Sequence, residues 1–231
     1  MHDLPEILFA NPVWHALHTR HAHFAVSHGD ACRYPANVVP FAAIKAPTAE
    51  SMQQLRSLLK ADESVWLIGE AYTAIPELVR HETLECLQMI LPADVAVPDG
   101  KENIGKLADE NANEMVALTT VAFPGFFRQE TCRMGDYYGV RSPSGELIAM
   151  GGERLKLQEY SEISGVCTHP AFRGQGLAAS VIWEVVRGQR RDGAVSWLHV
   201  GCANHRAIRL YRHMGFAEVR KVTLHRIAPQ D

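Results

Sequence analysis

The sequence predicts an α/β (α+β) protein in which a mixed sheet flanked by helices follows a smaller α/β domain. Short apolar runs of strand length alternate with stretches of helical periodicity along the whole chain. A stretch rich in proline and glycine divides the chain near Pro98, and a glycine-bearing turn at Gly174 and Gly176 lies between a predicted strand and a predicted helix. The chain has 231 residues, 47% of them apolar, so it can bury a sizeable core.

Composition excludes several classes of partner. Lys and Arg number 23 against 26 Asp and Glu, a formal net charge of −3, so we expect no nucleic acid or membrane partner. The longest uncharged apolar-rich stretch, Val116 to Phe127, is too short to span a bilayer, and the first residues carry Asp3 and Glu6 where a signal peptide would be basic. Five cysteines without a Cys-x-x-Cys pair argue against disulfides and thiolate zinc sites, which predicts a cytoplasmic protein.

The stretch from Leu91 to Lys106 contains two prolines and two glycines and predicts a domain boundary near Pro98, separating residues 1–98 from 99–231. Upstream of it we predict three strands and one helix. The strands are Phe41 to Ile44, Val65 to Ile68 and Leu84 to Leu91, and the helix is Thr48 to Lys60. This first part has no motif that indicates a role.

The second part has a clearer order of elements. Asp109 is predicted to cap a helix that carries Met115, Leu118 and Thr119 and ends near Pro124. A hairpin, a third strand, a helix, a fourth strand and a last helix should follow. Their predicted bounds are Tyr137 to Arg141 with Glu146 to Leu157, then Tyr160 to Thr168, Gln175 to Arg190, Val195 to Val200 and Asn204 to Met214, with a left-handed cap at Gly215.

The turn between Thr168 and Ala178 has the geometry of an anion site. The strand stops at Pro170, and the helix begins within the glycines, so unpaired N–H groups and the positive end of the helix dipole face a ligand. Gly174 and Gly176 let the ligand approach the backbone, and Arg173 adds a positive charge. A phosphate or pyrophosphate fits this site. A glycine loop needed only for a tight connection is the alternative.

Two motifs in this part resemble those of one family. Arg173 to Ala178 reads Arg-x-x-Gly-x-Ala and resembles the coenzyme A pyrophosphate loop of the GNAT superfamily of N-acetyltransferases. The preceding Val-x-Thr-His-Pro resembles the lead-in to that loop. From Leu198 to Phe216 the pattern Leu-x-Val-x-x-x-Asn-x-x-Ala-x-x-Leu-Tyr-x-x-x-Gly-Phe follows at the family's distance. The likeness is greatest to the glycine N-acyltransferase-like branch.

The resemblance implies a GNAT-type mixed sheet and an enzyme that passes an acetyl group from acetyl-CoA directly to an amine, in a ternary complex. The acceptor would be a small-molecule amine or a peptide or protein amine. The implied coenzyme-binding residues are Val166, Cys167, Thr168, Arg173, Gly174, Gln175, Gly176, Leu177, Ala178, Asn204, Ala207 and Tyr211. Members of this branch often carry a degenerate copy of the fold in the first half, and here that alternative stays open.

The resemblance also suggests catalytic roles. The Val166 N–H would bind the thioester oxygen, and Tyr211 would give a proton to the sulfur, although core packing alone would also explain Tyr211. Glu162 is predicted as the base, with strand alternation putting it on the face of Ser164 and Val166. A solvated carboxylate in a salt bridge is the alternative for Glu162, and Glu153 on the neighbouring strand is the second candidate base.

Three competing interpretations remain. A dinucleotide oxidoreductase is disfavoured because Ala179 stands where its fingerprint has glycine. A coenzyme A binding module without activity is the rival from another class, and it would be expected to lose its acid and base candidates first. A ping-pong enzyme with Cys167 as nucleophile is disfavoured because no base is evidently paired with this thiol.

Two further clusters of side chains are relevant to metal and acceptor binding. His15, His18, His21 and His23 do not hold one helical face and have no carboxylate or cysteine beside them, so no metal site is predicted. The aromatic residues Phe123, Phe126, Phe127, Tyr137 and Tyr138 correspond to the family's acceptor side. They would line an acceptor pocket or pack in the core.

Overall fold

A computed structural model describes residues 9–69, 72–100, 103–122 and 124–230. Within these residues, eleven strands form one sheet and five α-helices pack on it. The helices are α1 (Pro12–Leu17), α2 (Ala49–Ser57), α3 (Ala112–Ala122), α4 (Leu177–Arg191) and α5 (His205–His213). The strands are β1 (Val26–His28), β2 (Ala31–Arg33), β3 (Phe41–Ile44), β4 (Val65–Ile68), β5 (Leu78–Ile90), β6 (Ile104–Leu107), β7 (Tyr137–Arg141), β8 (Leu147–Lys156), β9 (Tyr160–Thr168), β10 (Val195–Gly201) and β11 (Ala217–Pro229).

The mixed sheet flanked by helices confirms the predicted fold class. Strands β3, β4 and β9 have the predicted bounds, and the β7–β8 hairpin and helices α4 and α5 lie within two residues of theirs. Gly215 has a φ of +94°, as the predicted left-handed cap requires. No helix in the described ranges is both long and apolar enough to cross a membrane.

The sheet order is β1-β2-β3-β4-β11-β5-β10-β9-β8-β7-β6. On one side of its centre, β1, β2 and β3 are antiparallel neighbours and β3 is parallel to β4; on the other side, β7, β8 and β9 repeat this arrangement and β9 is parallel to β10. Helix α2 connects the first parallel pair, and helix α4 connects the second. The connectivity of the first half therefore recurs in the second.

The last long strand of each half lies in the other half. Strand β5 precedes Pro98 in the chain, yet it pairs with β10, while β11 at the end of the chain pairs with β4. The two strands also pair with each other over most of their length. Pro98 therefore lies in a connection between two parts of one sheet.

The start of α3 differs from the prediction that Asp109 caps it. Asp109 begins a short 3-10 turn, Asp109–Asn111, that leads into the helix. The side-chain oxygen of Asn111 accepts a hydrogen bond from the Ala108 N–H at 3.0 Å. The capping interaction is therefore made by the third residue of the turn, which reaches back to the backbone before it.

Two buried clusters cover opposite faces of the sheet around β9 and β10. On one face, α4 and α5 pack over Ile163, Leu198 and Val200. On the other face, α1 and the chain before it pack over Trp197. Helix α4 can do this because its apolar residues Val181, Ile182, Val185 and Val186 fall on one side and are all buried.

Candidate cofactor and active site

Strands β9 and β10 separate halfway along their length. They pair in parallel from Tyr160 and Val195 to Ile163 and Leu198. β9 then continues to Thr168 and β10 to Gly201, without a further pair between them. The backbone edges that face each other beyond Ile163 and Leu198 therefore form a gap with unused N–H and C=O groups, where an extended ligand can pair as a strand would.

A β-bulge in β9 accompanies this separation. Gly152 of β8 opposes Ser164, and Met150 opposes Cys167, so β9 has one extra residue between these pairs. Gly165 has a φ of +64°, a left-handed conformation that suits glycine in such a bulge. The bulged strand bends, which helps β9 to leave β10.

The bulge also corrects the predicted side-chain alternation. Val166 packs with Ile163 on the helix side of the sheet. Glu162 precedes Ile163 directly and points to the opposite face, where it contacts Arg154 and His199. The prediction that Glu162 and Val166 share a face is therefore wrong, because the extra residue shifts the alternation by one.

The glycine loop after β9 leaves room for a ligand. Gly174 and Gly176 have φ values of +86° and +74°, and no described atom lies within 4 Å of the place that a Cβ would occupy on either residue. Helix α4 begins after Gly176 without a side-chain cap. None of the backbone N–H groups from Gly174 to Ala179 donates to an acceptor within the described ranges, so these groups can hold an anion.

Arg173 and Thr168 connect this loop to the gap. The exposed Arg173 side chain donates through Nε to the Thr168 carbonyl at 3.4 Å, which keeps its guanidinium beside the loop. The Thr168 hydroxyl is buried and has no hydrogen-bond partner in the described part of the chain. Both side chains therefore retain hydrogen-bonding capacity at the end of β9.

Helix α5 brings Asn204 and Tyr211 to the same side of the sheet as α4. The Asn204 side-chain oxygen accepts from the Ala207 N–H at 3.1 Å, which confirms the predicted cap. Tyr211 packs in the helix-side cluster with its ring edge against Phe216. Burial, with a further contribution from the negative charge of Glu162, raises the pKa of Tyr211 to about 12, so its hydroxyl is protonated at neutral pH.

Glu162 lies beside the mouth of the gap. It is fully buried, and both of its carboxylate oxygens accept hydrogen bonds. Its carboxylate accepts two bonds from Arg154, at 2.5 and 2.8 Å, one from His199 at 2.7 Å and one from the Leu155 N–H at 3.3 Å. Burial raises the pKa of this carboxyl, but Arg154 and His199 outweigh it and bring the pKa to about 2. Glu162 is in a salt bridge, as one alternative had it, but in the protein interior.

Glu153 is also buried and engaged. It accepts from the Ser161 hydroxyl at 2.6 Å and the Asp136 N–H at 2.9 Å, and its Oε2 lies 2.7 Å from Lys156 Nζ. Each predicted base thus already has several donors around it.

Arg154 and His199 are parts of the site that the sequence analysis missed. Arg154 is the single arginine on β8 and His199 the single histidine on β10, and a lone buried arginine or histidine has no motif. The one available signal was Glu162 itself, because a carboxylate that is buried in a strand requires a cationic partner nearby.

The aromatic residues predicted for the acceptor side are divided between three places. Tyr137 packs with Phe127 and Cys167 on the face opposite α4, and its buried hydroxyl has no partner in the described ranges. Tyr138 instead lies on the α4 face. Phe126 contacts Phe41 and Trp66, while Phe123 lies outside the described residues.

The candidate nucleophile Cys167 is buried, and the candidate metal ligands His18 and His21 are engaged in hydrogen bonds within the protein. Burial raises the pKa of Cys167 to about 12, so its thiolate is scarcely populated near neutral pH. Both ring nitrogens of His21 are engaged, by the Tyr34 hydroxyl at 2.8 Å and the Met134 carbonyl at 3.0 Å, and His18 bonds the Trp14 carbonyl. In the described ranges no group of three or more histidine, cysteine or carboxylate side chains is arranged to hold a metal ion.

Comparison with known proteins agrees with this geometry. A family model described as FR47-like protein matches residues 137–224, from β7 into β11. A structure from Novosphingobium aromaticivorans assigned to the GNAT family of acetyltransferases is 37% identical, covering 96% of this chain and 98% of its own, with a TM-score of 0.88. The chain therefore belongs to the GNAT family.

More distant structures share the fold over the whole chain. A GCN5-related N-acetyltransferase from Kribbella flavida is 16% identical and covers 100% of this chain and 97% of its own, with a TM-score of 0.64. A GCN5-related N-acetyltransferase-like protein from Streptococcus suis is 10% identical and covers 99% and 95%, with a TM-score of 0.60. None of the curated proteins matches this chain.

Proposed function

We propose that this chain is an N-acetyltransferase that transfers the acetyl group of acetyl-CoA directly to an amine acceptor in a ternary complex. The observation that carries the proposal is the joint placement of an unpaired strand edge and a free glycine loop. The edge runs from Ser164 to Thr168, and the loop from Gly174 to Gly176 follows it within one turn. An extended arm that ends in a pyrophosphate matches both features.

In this proposal the loop N–H groups and Arg173 hold the pyrophosphate, and the backbone of Val166, Cys167 and Thr168 pairs with the pantetheine arm. Asn204 and Ala207 begin the helix on the other side of the arm. The coenzyme supplies an activated thioester.

The chain offers two groups for the reacting atoms. The Val166 N–H, next to the bulge, would stabilise negative charge that develops on the thioester oxygen. The protonated Tyr211 hydroxyl would donate to the departing sulfur. With a pKa of about 2, Glu162 is a poor proton acceptor at neutral pH, so we propose that water takes the proton of the amine while Glu162 orients its neighbours.

Three finer assignments belong to the same proposal. The place within the family is the glycine N-acyltransferase-like branch, on the strength of the motifs at Arg173 to Ala178 and Leu198 to Phe216. The compartment is the cytoplasm, because all five cysteines are unpaired thiols. The acceptor is a small-molecule, peptide or protein amine, without nucleic acid or membrane as partner.

A coenzyme A binding module without activity is the second candidate. The observation that favours it is the full occupation of both carboxylates, Glu162 and Glu153, by internal donors. Against it stands Tyr211, which keeps a protonated hydroxyl that makes no hydrogen bond within the described ranges.

Thiol release from acetyl-CoA, measured with a panel of amines, amino acids and peptide amino termini, tests the proposal. We expect turnover with at least one class, and weaker acetyl-CoA binding in Arg173→Ala, which loses a charge-assisted hydrogen bond. Binding of acetyl-CoA by calorimetry without turnover on any amine would favour the module. Absence of binding would reject both candidates.

A further inference from the structure

A chain of hydrogen-bonded side chains crosses five neighbouring strands at the mouth of the gap. Its members are Arg220 on β11, Gln88 on β5, His199 on β10, Glu162 on β9 and Arg154 on β8. Arg220 Nε lies 2.9 Å from Gln88 Oε1, and Gln88 Nε2 lies 3.0 Å from His199 Nε2. His199 Nδ1 lies 2.7 Å from Glu162 Oε1, which Arg154 also contacts. We call this set the cross-sheet chain.

Each hydrogen bond in the cross-sheet chain has only one possible donor. Arginine only donates, so Gln88 presents its oxygen to Arg220 and its NH₂ group to His199. His199 Nε2 must therefore accept, which leaves the proton on Nδ1 to be donated to Glu162. The Gln88 NH₂ group also donates to the Phe9 carbonyl at 2.9 Å, which fixes the orientation of the amide a second time.

One link of the cross-sheet chain spans the point where β9 and β10 part. The backbone ladder ends at Ile163 and Leu198, and His199 is the first residue of β10 beyond it. The side chains of His199 and Glu162 are 3% and 0% exposed, so water does not compete with their bond. No backbone pair joins the two strands beyond this link in the described structure.

We infer that the cross-sheet chain is a positioning device that fixes the separation of β9 and β10 and so the width of the gap that receives the acyl-pantetheine arm. Glu162 and His199 are positioning residues in this inference, which rests on the proposed function. Arg154 holds Glu162 from the β8 side with two charge-assisted bonds, and Gln88 holds His199 from the β5 side. The link between them is thus anchored on both sides of the gap.

The sharpest test is a pair of substitutions at His199. In His199→Asn the side-chain NH₂ group takes the place of Nδ1–H and can still donate to Glu162, whereas His199→Phe loses the link and keeps the ring. Gln88→Met breaks the next link with a side chain of similar length. Glu114→Gln is the matched control, because Glu114 accepts two bonds from Arg141 at 2.6 and 2.7 Å on the outer part of the sheet.

Two measurements apply to these proteins. Hydrogen exchange of the amides at 164–168 and 199–201 reports the gap directly, and calorimetry and steady-state kinetics report acetyl-CoA. We expect faster exchange at the gap and a rise of about tenfold or more in the acetyl-CoA KM for His199→Phe, which loses both links of this residue, because small misplacements of a bound arm are costly. His199→Asn and Gln88→Met each lose the link between Gln88 and His199 but keep a donor to Glu162, so their effects should be smaller than that of His199→Phe. Glu114→Gln should stay close to the wild type.

Glu162→Gln separates positioning from base catalysis. A positioning role predicts faster gap exchange and weaker acetyl-CoA binding, as in His199→Phe. A base predicts a fall of about 10² to 10⁴ in kcat with unchanged acetyl-CoA binding and a lost limb of the pH–rate profile, and that result would overturn the inference.

Two other outcomes would also contradict the inference that the cross-sheet chain sets the width of the gap. Equal gap exchange in wild type, His199→Phe and Gln88→Met would show that the cross-sheet chain does not set the gap. An effect of His199→Asn as large as that of His199→Phe would show that the link to Glu162 is not responsible. If the wild type fails to bind acetyl-CoA, the proposed function falls, while the exchange measurements still decide on the cross-sheet chain. Should His199→Phe not fold, Gln88→Met and Glu162→Gln carry the same comparison.

Discussion

The first half of the chain and the second half contain the same arrangement of strands but differ at the end of their parallel strand pair. Strands β3 and β4 pair in parallel at only two positions, Phe41 with Trp66 and Ala42 with Leu67, and then separate as β9 and β10 do. Helix α2 follows β3 as α4 follows β9. The difference lies in what occupies the end of each parallel pair.

In the first half this place is closed by the protein's own groups. The Asn11 side chain donates to the Ile44 carbonyl at 2.8 Å, and the Thr48 hydroxyl caps helix α2 by accepting from the Ser51 N–H at 3.1 Å. A cavity of about 170 Å³ remains, lined among others by Lys45, Leu67 and Tyr72. In the second half the corresponding N–H groups have no partner and the glycines leave open space. We therefore propose that the first half is a degenerate copy and that each chain binds one coenzyme.

The largest effect, on acetyl-CoA affinity, is expected at the open glycine loop of the second half. Gly176→Trp would fill the space over the N–H groups at the start of α4, and we expect acetyl-CoA affinity to fall by about 100-fold or more, roughly 2.8 kcal/mol. Titration calorimetry measures this directly.

Gly193→Trp is the matched control for this substitution. Gly193 follows the other end of the same helix, has a φ of +73° against +74° for Gly176, and likewise has no described atom within 4 Å of the position that a Cβ would occupy. Backbone strain is therefore similar in the two variants, and only the contact with the ligand differs. Equal loss of affinity in both variants would mean that the loop does not hold the coenzyme.

The second prediction concerns a hydrogen bond between the two halves of the chain. His21 of the first half donates through Nε2 to the Met134 carbonyl of the second half and accepts from the Tyr34 hydroxyl. Burial lowers the pKa of His21 to about 4 from 6.5, against a smaller opposing effect of the Met134 carbonyl. The neutral form is favoured in the folded state, so its contribution is complete above pH 6.5 and is lost as the pH falls toward 4. Between pH 7 and pH 5 we expect a loss of about 2 kcal/mol in the free energy of unfolding.

The measurement is urea unfolding at both pH values for wild type and His21→Gln. Glutamine can still donate to the Met134 carbonyl but does not titrate, so this variant should lose less stability between the two pH values. If wild type and variant lose the same amount, His21 does not titrate with the predicted shift.

Short strands with a uniform apolar pattern and helices with strong start and stop signals were predictable from the sequence. Strand β4, Val65–Ile68, is fully buried and has its predicted bounds, and Asn204 caps the helix that it was predicted to cap. Strand β11 was missed because Arg220, Lys221 and His225 interrupt its apolar pattern. The sharing of one sheet by the two halves was missed with it, since partners in a sheet depend on the long-range register and not on local pattern.

The candidate site was predictable only as far as the backbone defines it. The loop at Arg173 to Ala178 follows from glycine and helix-start signals that are local in the sequence. The surroundings of Glu162 do not, because Arg154 and His199 reach it from neighbouring strands and the bulge at Gly165 shifts the alternation in between. Side-chain roles that depend on tertiary neighbours therefore do not follow from local sequence.

The smallest predicted effect concerns the closed helix start of the first half. Thr48→Ala removes the side-chain cap of α2 and should lower the free energy of unfolding by about 1 kcal/mol. Thr120→Ala is the control, because Thr120 bonds the Val116 carbonyl within α3 and caps nothing, so its effect should be within about 0.5 kcal/mol. Acetyl-CoA affinity should not change in either variant, since the first half would hold no coenzyme. If Thr48→Ala created a second acetyl-CoA site in calorimetry, the cap alone would be what closes the first half, and the Asn11 bond would not contribute.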